Sequence, residues 1–327
     1  MMVAQAVRTN TFRGMRQLDP VRDIYGVARL LEEAFRPDHS FPFGDFPLLR
    51  QVGIWMWTLS YAPAFPPNLS GWVWIEENRI VGNVTITQDE RRHDLYMISN
   101  VAVKPEFRQQ GIARALMLAA LDDLRGRNAR TVLLNVRPHN SGAQHLYASL
   151  GFRELEMRGD WTLQKKLPGQ FIQSPDIRPL RSSDDRAVTD LLRAVIPASV
   201  EPYRALPNEF ALPFDELVAE WLGDLFIGQS SQRWTLERNE KLAALVLVRG
   251  QRLASPHRLT IQVHPRFRGQ VENELVAFAL AQLANFPARQ VRAVAADSHV
   301  ELIAALEQQG FTFAKGLTLM AFCFQAN

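Results

Sequence analysis

The sequence contains a single cysteine, Cys323, so the chain cannot form an internal disulfide. Such a chain fits a reducing compartment. Its first residues lack the apolar core of a signal peptide, and no uncharged apolar run is long enough to cross a bilayer. We therefore expect a cytoplasmic protein with no membrane partner.

A large surplus of charge is also lacking. The 37 Lys and Arg residues nearly balance the 34 Asp and Glu residues, which leaves a formal net charge of +3. No basic stripe with interleaved aromatic residues is present, so a nucleic-acid-binding protein is the least favoured class. The seven histidines are scattered along the chain, so we predict no metal site. The small basic surplus would suit an anionic small molecule.

The chain carries an internal repeat whose period is the size of a domain. The segment that begins at Met15 resembles the segment that begins at Ile177, and both have the pattern of a short strand followed by a helix. Further along, Pro105 and Pro265 follow similar strand patterns and are 160 positions apart (265 − 105). Hydrophobic residues make up 47% of the 327 residues, which is enough for two buried cores.

The end of each copy repeats as well. A short helix pattern stops at Gly151 in the first copy and at Gly310 in the second, 159 positions later (310 − 151). These features recur in the same order, so we predict two copies of one α/β fold. We place the first domain at 11–167, a linker with Pro, Gly and Ser at 168–176, and the second domain at 177–327.

Within the first copy, strand and helix patterns alternate. The periodicity predicts a hairpin, a strand, a long helix, a buried strand and a short helix. Their ranges are 72–76 with 80–87, 95–103, 112–126, 131–137 and 141–151.

The junction between the strand that ends at Val103 and the following helix has the composition of an anion site. The first turn of a helix has backbone N–H groups without partners and a partial positive charge, which suits phosphate. Gly111 allows close approach of the guest, and Ala113 keeps crowding low. Arg108 adds a guanidinium that matches phosphate. The junction therefore predicts a cradle for a pyrophosphate. It is neither a Walker A loop nor a dinucleotide fingerprint, because the required residues and glycine spacing are missing.

This junction resembles the acetyl-coenzyme A (acetyl-CoA) loop of the GNAT superfamily of N-acetyltransferases. The matching residues are Arg108-Gln109-Gln110-Gly111-Ile112-Ala113, within "ISNVAVKPEFRQQGIA". The later stretch "NVRPHNSGAQHLYASLGF" resembles the fifth strand of the family and its closing segment. The resemblance covers most of 11–167. It implies two tandem GNAT-like domains, each with a mixed, mostly antiparallel central sheet flanked by helices.

The resemblance also implies roles for individual residues. An acceptor amine would attack the thioester of acetyl-CoA directly. The backbone of Val101, Ala102 and Val103 would pair with the pantetheine arm, and Asn140 would contact that arm or order the adjacent backbone. Tyr147 would donate a proton to the departing thiolate. The pyrophosphate would be held by the loop and the first turn of the helix, which comprise Arg108, Gln109, Gln110, Gly111, Ile112, Ala113 and Arg114.

The resemblance does not place a general base. Five residues have suitable chemistry but read equally well as surface loop residues, and we assign none of them: Glu76, Glu77, His93, Asp94 and His139.

The aromatic segment after the first helix predicts the acceptor side. Trp57, Tyr61 and Phe65 could wall a pocket for an apolar or aromatic amine, which favours a small primary amine as acceptor. A protein acetyltransferase that acts on lysine or an N-terminus, and a non-catalytic module that senses acyl-CoA, remain alternatives. The patterns do not distinguish a monomer from a homodimer.

The second copy has lost the residues of the cradle. Val271 stands where Gly111 stands in the first copy, and Leu306 stands where Tyr147 stands. The neighbouring Glu272 would repel phosphate at the start of the helix. We predict that this copy keeps the fold, does not bind acetyl-CoA productively, and has a structural or substrate-cleft role.

Overall fold

The computed structural model describes residues 12–35, 69–89, 92–164, 176–198, 200–203, 208–210, 224, 228–253 and 255–324. The chain divides into two compact units. Unit one comprises 1–135, 141–153 and 320–327, and unit two comprises 136–140 and 154–319. The domain limits inferred from the repeat remain a prediction. None of the helices in the described part of the chain is long and apolar enough to cross a membrane.

Unit one contains a sheet with strand order β1-β2-β3-β4-β5. The strands are antiparallel except for the parallel pair β4 and β5. The strands are β1 (Gly14–Gln17), β2 (Ser70–Glu76), β3 (Arg79–Gln88), β4 (Leu95–Val103) and β5 (Thr131–Val136). The helices are α1 (Pro20–Phe35), α2 (Ile112–Gly126) and α3 (Ser141–Ser149).

Helix α2 is placed by its apolar face and by one glycine of the sheet. Its buried residues recur at helical spacing: Ile112, Leu116, Met117, Ala120, Leu121 and Leu124. A Cβ atom on Gly82 of β3 would lie 2.9 Å from Cγ2 of Ile112 and 3.0 Å from Cδ1 of Leu116. The bare backbone at Gly82 therefore lets α2 pack closely on the sheet, and its first turn lies just after the end of β4.

Unit two repeats this architecture with strand order β12-β6-β11-β10-β9-β8-β7. Its parallel pair is β10 with β11. The strands are β6 (Arg153–Leu163), β7 (Ile177–Pro179), β8 (Gln229–Arg238), β9 (Lys241–Gln251), β10 (His257–Val263), β11 (Val291–Ala296) and β12 (Thr312–Cys323). The last residues of β12, from Met320 onward, are grouped with unit one. The helices are α4 (Asp185–Val195), α5 (Glu272–Gln282) and α6 (Val300–Gln308).

Each unit is a mixed, mostly antiparallel sheet flanked by helices, which confirms the predicted fold class. Each also has its own core of fully buried aliphatic side chains. Those of unit one include Leu30, Ile86, Ile98, Leu116, Met117, Leu124 and Leu134, and those of unit two include Leu191, Leu236, Leu245, Leu247 and Leu275.

Candidate active site

The first part of the site is the start of α2. The chain leaves β4, makes a single 3-10 turn over Pro105–Phe107, and reaches Gly111 as the N-cap of α2. Gly111 has φ 78° and ψ −2°, and no side chain caps the helix. The backbone N–H of Ala115 returns to the Gly111 carbonyl at 2.9 Å. The amides that precede Ala115 in the first turn have no intrahelical acceptor, because none exists for the first turn of any helix.

The space in front of Gly111 fits a phosphate group. A Cβ atom built on Gly111 would meet nothing within 4 Å, and the residue is exposed. Its positive φ disfavours any residue with a side chain. Gln109 also has a positive φ of 59°. The positive end of the helix dipole points at this open space, so the turn suits an anion. Sequence analysis predicted Gly111 for close approach, and the structure adds the left-handed backbone as a second reason.

Two arginines predicted to bind the coenzyme make contacts within the protein. The Nε of Arg108 donates to the Val103 carbonyl at 3.1 Å, and its Nη2 donates to the Ala34 carbonyl at 3.4 Å. The Nη1 of Arg114 donates to Oγ of Ser149 on α3 at 2.8 Å. These bonds brace the turn and the first part of α2, and direct contact of either arginine with a phosphate remains a prediction.

The second part of the site is a bulge in β4. Thr85 pairs with Ser99 and Asn83 pairs with Ala102, so two residues of β4 stand opposite the single residue Val84. These two residues are Asn100 and Val101, so β4 has one extra residue here, and Asn100 has φ 53°.

Beside this bulge, β4 separates from β5. The parallel pairing runs only from Leu95 with Thr131 to Ile98 with Leu134. The predicted coenzyme-binding backbone of Val101, Ala102 and Val103 lies beyond this point. A strand edge without a neighbouring strand can pair with an extended ligand. The described geometry therefore suits the predicted pairing with a pantetheine arm, and that role remains a prediction.

The third part is Tyr147 on α3, which is only 5% exposed. Burial raises the pKa of Tyr147 to about 12. The Phe152 ring lies 6.0 Å from the Tyr147 ring, and the Phe152 N–H donates to the Tyr147 carbonyl at 3.0 Å. Gly151, with φ 94°, makes this reversal of the chain possible. The phenol is therefore held rigidly and stays protonated at neutral pH.

Asn140 is exposed, and its backbone N–H donates to the Arg137 carbonyl at 3.0 Å. It lies in the segment 136–140, which is grouped with unit two. Its predicted contact with the coenzyme arm therefore remains untested by the geometry. The aromatic wall predicted at Trp57, Tyr61 and Phe65 lies outside the described residues.

The five residues considered as general bases make ordinary structural contacts or are exposed. Glu76 is buried and accepts hydrogen bonds from Nε of Arg13 at 3.0 Å and from Nε1 of Trp74 at 2.9 Å. Asp94 lies 3.6 Å from Arg92 in an ion pair. The exposed ones are Glu77, His93 and His139. None of these five positions indicates a role as general base.

Unit two has the same turn but a different helix start. The 3-10 turn Pro265–Phe267 and Gly269 with φ 78° follow β10. The N-cap of α5 is Val271, with φ −126° and 2% exposure, so the left-handed glycine at this position is gone.

The carboxylate of Glu272 lies at the start of α5. Its Oε2 accepts from the Val271 N–H at 3.2 Å, and its Oε1 lies 3.0 Å from Nε2 of His299. Burial alone would raise the pKa of Glu272, but the hydrogen bonds from His299 and from the backbone of Gly269, Glu272 and Val271 hold it below its usual value. A negative charge of the protein itself therefore occupies the anion position. Sequence analysis predicted repulsion by Glu272 but missed His299, which is 27 residues away (299 − 272).

Residues 27–152 match the model of the Acetyltransferase (GNAT) family. The chain contains a GNAT domain. This match confirms the resemblance found in the sequence. GNAT enzymes use acetyl-CoA as the acetyl donor, and the matched segment includes Gly111 and Tyr147.

Named relatives align with part of this chain. The ribosomal protein bS18-alanine N-acetyltransferase of Escherichia coli K12 is 42% identical over 62 residues, which cover 19% of this chain and 42% of that protein. The N-alpha-acetyltransferase 30 of Schizosaccharomyces pombe is 34% identical over 80 residues, which cover 24% of this chain and 53% of that protein. The chain therefore spans about half the length of these relatives or less.

Solved structures resemble nearly the whole chain. A GCN5-related N-acetyltransferase from Sphaerobacter thermophilus has a TM-score of 0.63 at 14% identity, with 96% of both chains covered. A tandem GNAT protein from the clavulanic acid biosynthesis pathway has a TM-score of 0.55 at 16% identity, with 96% of this chain and 99% of that chain covered. At these identities the likeness concerns the fold, and it confirms the predicted tandem GNAT architecture.

Proposed function

We propose that the protein is an N-acetyltransferase that transfers the acetyl group of acetyl-CoA to a primary amine, and that unit one carries out the transfer. The observation that supports this most is the uncapped start of α2 at Gly111, directly after the bulged strand of a GNAT domain. In this proposal, the amides from Gln109 to Arg114 hold the pyrophosphate. The free edge of β4 from Val101 to Val103 holds the pantetheine arm.

The chemistry needs a neutral amine, a polarised thioester carbonyl and a proton for the departing thiolate. Tyr147 supplies an O–H donor for the departing thiolate, because burial raises its pKa to about 12 and keeps the hydroxyl protonated. An ordinary thiol has a pKa near 8.5, so full transfer of the phenolic proton to a thiolate would cost about 5 kcal/mol. Tyr147 therefore acts as a hydrogen-bond donor to the developing sulfur anion, and solvent completes the protonation.

The acceptor predicted from the sequence is a small primary amine. The names of the relatives favour a second candidate, the α-amine of a protein N-terminus. The pKa of the amine also matters, because we assign no described residue as the base that would remove its proton. An α-amine with a pKa near 7.8 is neutral in roughly one molecule in seven at pH 7, whereas a lysine with a pKa near 10.4 is neutral in about one in 2,500. An α-amine, whether of a small molecule or of a peptide, is therefore the preferred acceptor.

A binding experiment tests the first step of this proposal. Acetyl-CoA is titrated by calorimetry into the wild type, with one site per chain expected. Two sites would contradict the assignment to unit one alone, and no binding would contradict the enzymatic proposal.

An acceptor panel tests the second step. A peptide that begins with alanine is compared with the same peptide blocked at its N-terminus and carrying one lysine, and with small amines that contain or lack an α-amine. Release of the coenzyme thiol and the mass of the product are measured. Acetylation of the lysine peptide alone would contradict the preference for α-amines.

A further inference from the structure

A buried polar cluster lies on β3, beside the bulge in β4. Asn83 has no exposed surface, and Thr85 is 5% exposed. The Nδ2 of Asn83 donates to the Asn100 carbonyl at 2.9 Å and to Oγ1 of Thr85 at 3.1 Å. Asn100 is the bulge residue with the left-handed backbone. The cluster therefore ties the side chain of one strand to the irregular peptide of the next.

The orientation of the Asn83 amide is fixed by its partner. A carbonyl oxygen only accepts hydrogen bonds, so the nitrogen of Asn83 must face Asn100. The other end of the amide, Oδ1, is then buried without a hydrogen-bond partner among the residues that the structure describes. A buried polar atom without a partner is unfavourable, so an apolar residue would serve the stability of the core better. The stability of the core therefore does not explain why an asparagine occupies position 83.

The backbone of β4 indicates that reason. The Lys104 N–H donates to the Val81 carbonyl of β3 at 2.9 Å. Because N–H groups alternate along a strand, those of Val103 and Val101 point to the opposite edge, where β5 has separated from β4. The Val101 N–H belongs to the same planar peptide as the Asn100 carbonyl, and in a trans peptide the two groups point in opposite directions. The bond from Asn83 to that carbonyl therefore fixes the direction of the Val101 N–H.

We propose that Asn83 is a positioning residue for acetyl transfer: it holds the Asn100–Val101 peptide so that the Val101 N–H donates to the carbonyl oxygen of the bound acetyl group. This inference rests on the proposed function. A fixed N–H donor at the oxygen on which negative charge develops lowers the barrier for attack on the thioester. Asn83 itself touches neither the acetyl group nor the amine.

Unit two supplies an internal comparison. Its strands β9 and β10 pair without interruption from Leu259 with Val248 to Val263 with Ala244. When the two units are aligned on Pro105 and Pro265, the residues of β4 that pair with Asn83 and Thr85 correspond to Gln262 and Leu259 of β10. In β9, the residues that pair with these two are Leu245 and Val248. The unit that has apolar residues at both positions also lacks the bulge. This parallel loss supports a direct link between the Asn83 cluster and the shape of the strand.

The test uses acetyl-CoA labelled with carbon-13 at the acetyl carbonyl, bound to the full-length protein. Infrared spectroscopy reads the carbonyl stretch, which moves to lower wavenumber when a hydrogen bond polarises the carbonyl. We expect this shift in the wild type. Asn83→Leu, which copies unit two, and Asn83→Ala should still bind acetyl-CoA, while their carbonyl band returns toward the position of the free thioester.

Kinetics provides the second readout. With the best acceptor of the panel, both Asn83 variants should lose kcat on the order of 100-fold while KM for acetyl-CoA changes little, as for loss of an oxyanion donor. The matched control is Thr87→Val on the same strand, which removes a half-buried hydroxyl that donates to the Met97 carbonyl at 3.4 Å and leaves the contacts of Asn83, Thr85 and Asn100 intact. This variant should keep both the infrared shift and the rate.

The outcomes separate this inference from the proposed function. If both Asn83 variants keep the wild-type band and kcat, Asn83 is only a core residue and the inference fails while the acetyltransferase proposal stands. If the wild type does not bind acetyl-CoA, both fail. Circular dichroism checks folding, and the smaller alanine variant decides the matter if the leucine variant does not fold.

Discussion

The starts of α2 and α5 show how one turn can be open to a ligand or closed by the protein. Both follow a strand and a 3-10 turn that begins with proline, Pro105 in unit one and Pro265 in unit two. In unit one an exposed left-handed glycine leaves the amides of the helix open to solvent. In unit two a buried carboxylate accepts hydrogen bonds at the same position. The partial positive charge at the start of the helix is compensated in both units. In the proposal for unit one an external anion does this, and in unit two Glu272 does it.

The comparison extends to the chemistry. Unit one has a phenol at Tyr147, whereas the aligned position in unit two is Leu306, which is fully buried. Unit one has a bulged strand, and its counterpart in unit two is regular. The cradle, the bulge and the phenol have all been replaced in unit two by features that favour the core.

The largest effect is expected at Tyr147. Tyr147→Phe should lower kcat about 1,000-fold with little change in KM for acetyl-CoA, because it removes only the hydrogen-bond donor to the departing sulfur. Steady-state kinetics measures both constants. Tyr96→Phe is the matched control, since Tyr96 is a second buried tyrosine at 4% exposure and lies outside the proposed site. Equal losses in the two variants would argue against a chemical role for Tyr147.

The next effect concerns the internal anion of unit two. Glu272→Ala removes a buried carboxylate and leaves His299 and the backbone amides without their acceptor. The free energy of unfolding should fall by about 3 kcal/mol, as for one partner of a buried pair. Urea denaturation measures it, with exposed Glu307 as the control position for the same substitution. Added phosphate should restore more stability in Glu272→Ala than in the wild type. A phosphate effect of equal size in both proteins would contradict the view of Glu272 as a built-in anion.

A smaller effect is expected when the residue of unit two is copied into unit one. Gly111→Val forces a β-branched residue into a left-handed backbone and crowds the open space in front of it. The affinity for acetyl-CoA should fall on the order of 10- to 100-fold, because strain and steric exclusion add. Calorimetry measures this against Gly126→Val, a change at the exposed last residue of the same helix. Unchanged affinity in Gly111→Val would show that the turn at Gly111 does not bind the coenzyme.

The smallest effect is a dependence of stability on pH. The folded state lowers the pKa of Glu272 below its ordinary value of 4.5. The stabilisation by this group is therefore fully present above the unfolded pKa and is lost as pH falls through the folded pKa. The difference in unfolding free energy between the wild type and Glu272→Gln should be constant near neutral pH and shrink in acid. A difference that grows in acid would have the wrong sign for this assignment.

Local pattern was sufficient to predict several elements. The apolar spacing between Ile112 and Gly126 predicts a helix with the same limits as α2, and the range 95–103 is the range of β4. Such elements depend on neighbours in the sequence, so periodicity and a glycine stop are enough to find them. The repeated turn after Pro105 and Pro265 was found for the same reason.

Features that depend on distant pairing were not predictable. The bulge at Asn100 follows from the register of β4 against β3, and the bond from Asn83 joins residues on two strands. His299 contacts Glu272 only when α5 and β11, which precede His299 in the sequence, are folded. Neither relation leaves a mark in the local pattern of apolar and polar residues.

The last described residues of the chain have a consequence for biosynthesis. Phe322 packs on Phe152 with ring centroids 5.5 Å apart, and the Phe324 N–H donates to the Arg130 carbonyl at 3.0 Å. Unit one is therefore completed by a segment that the ribosome makes long after α3. A nascent chain released before that point, or a fragment cut within 168–176, would carry an unfinished first unit with its phenylalanine surface exposed. Folding of unit one is completed only after unit two has been synthesised, and such late closure of contacts distant in sequence slows folding.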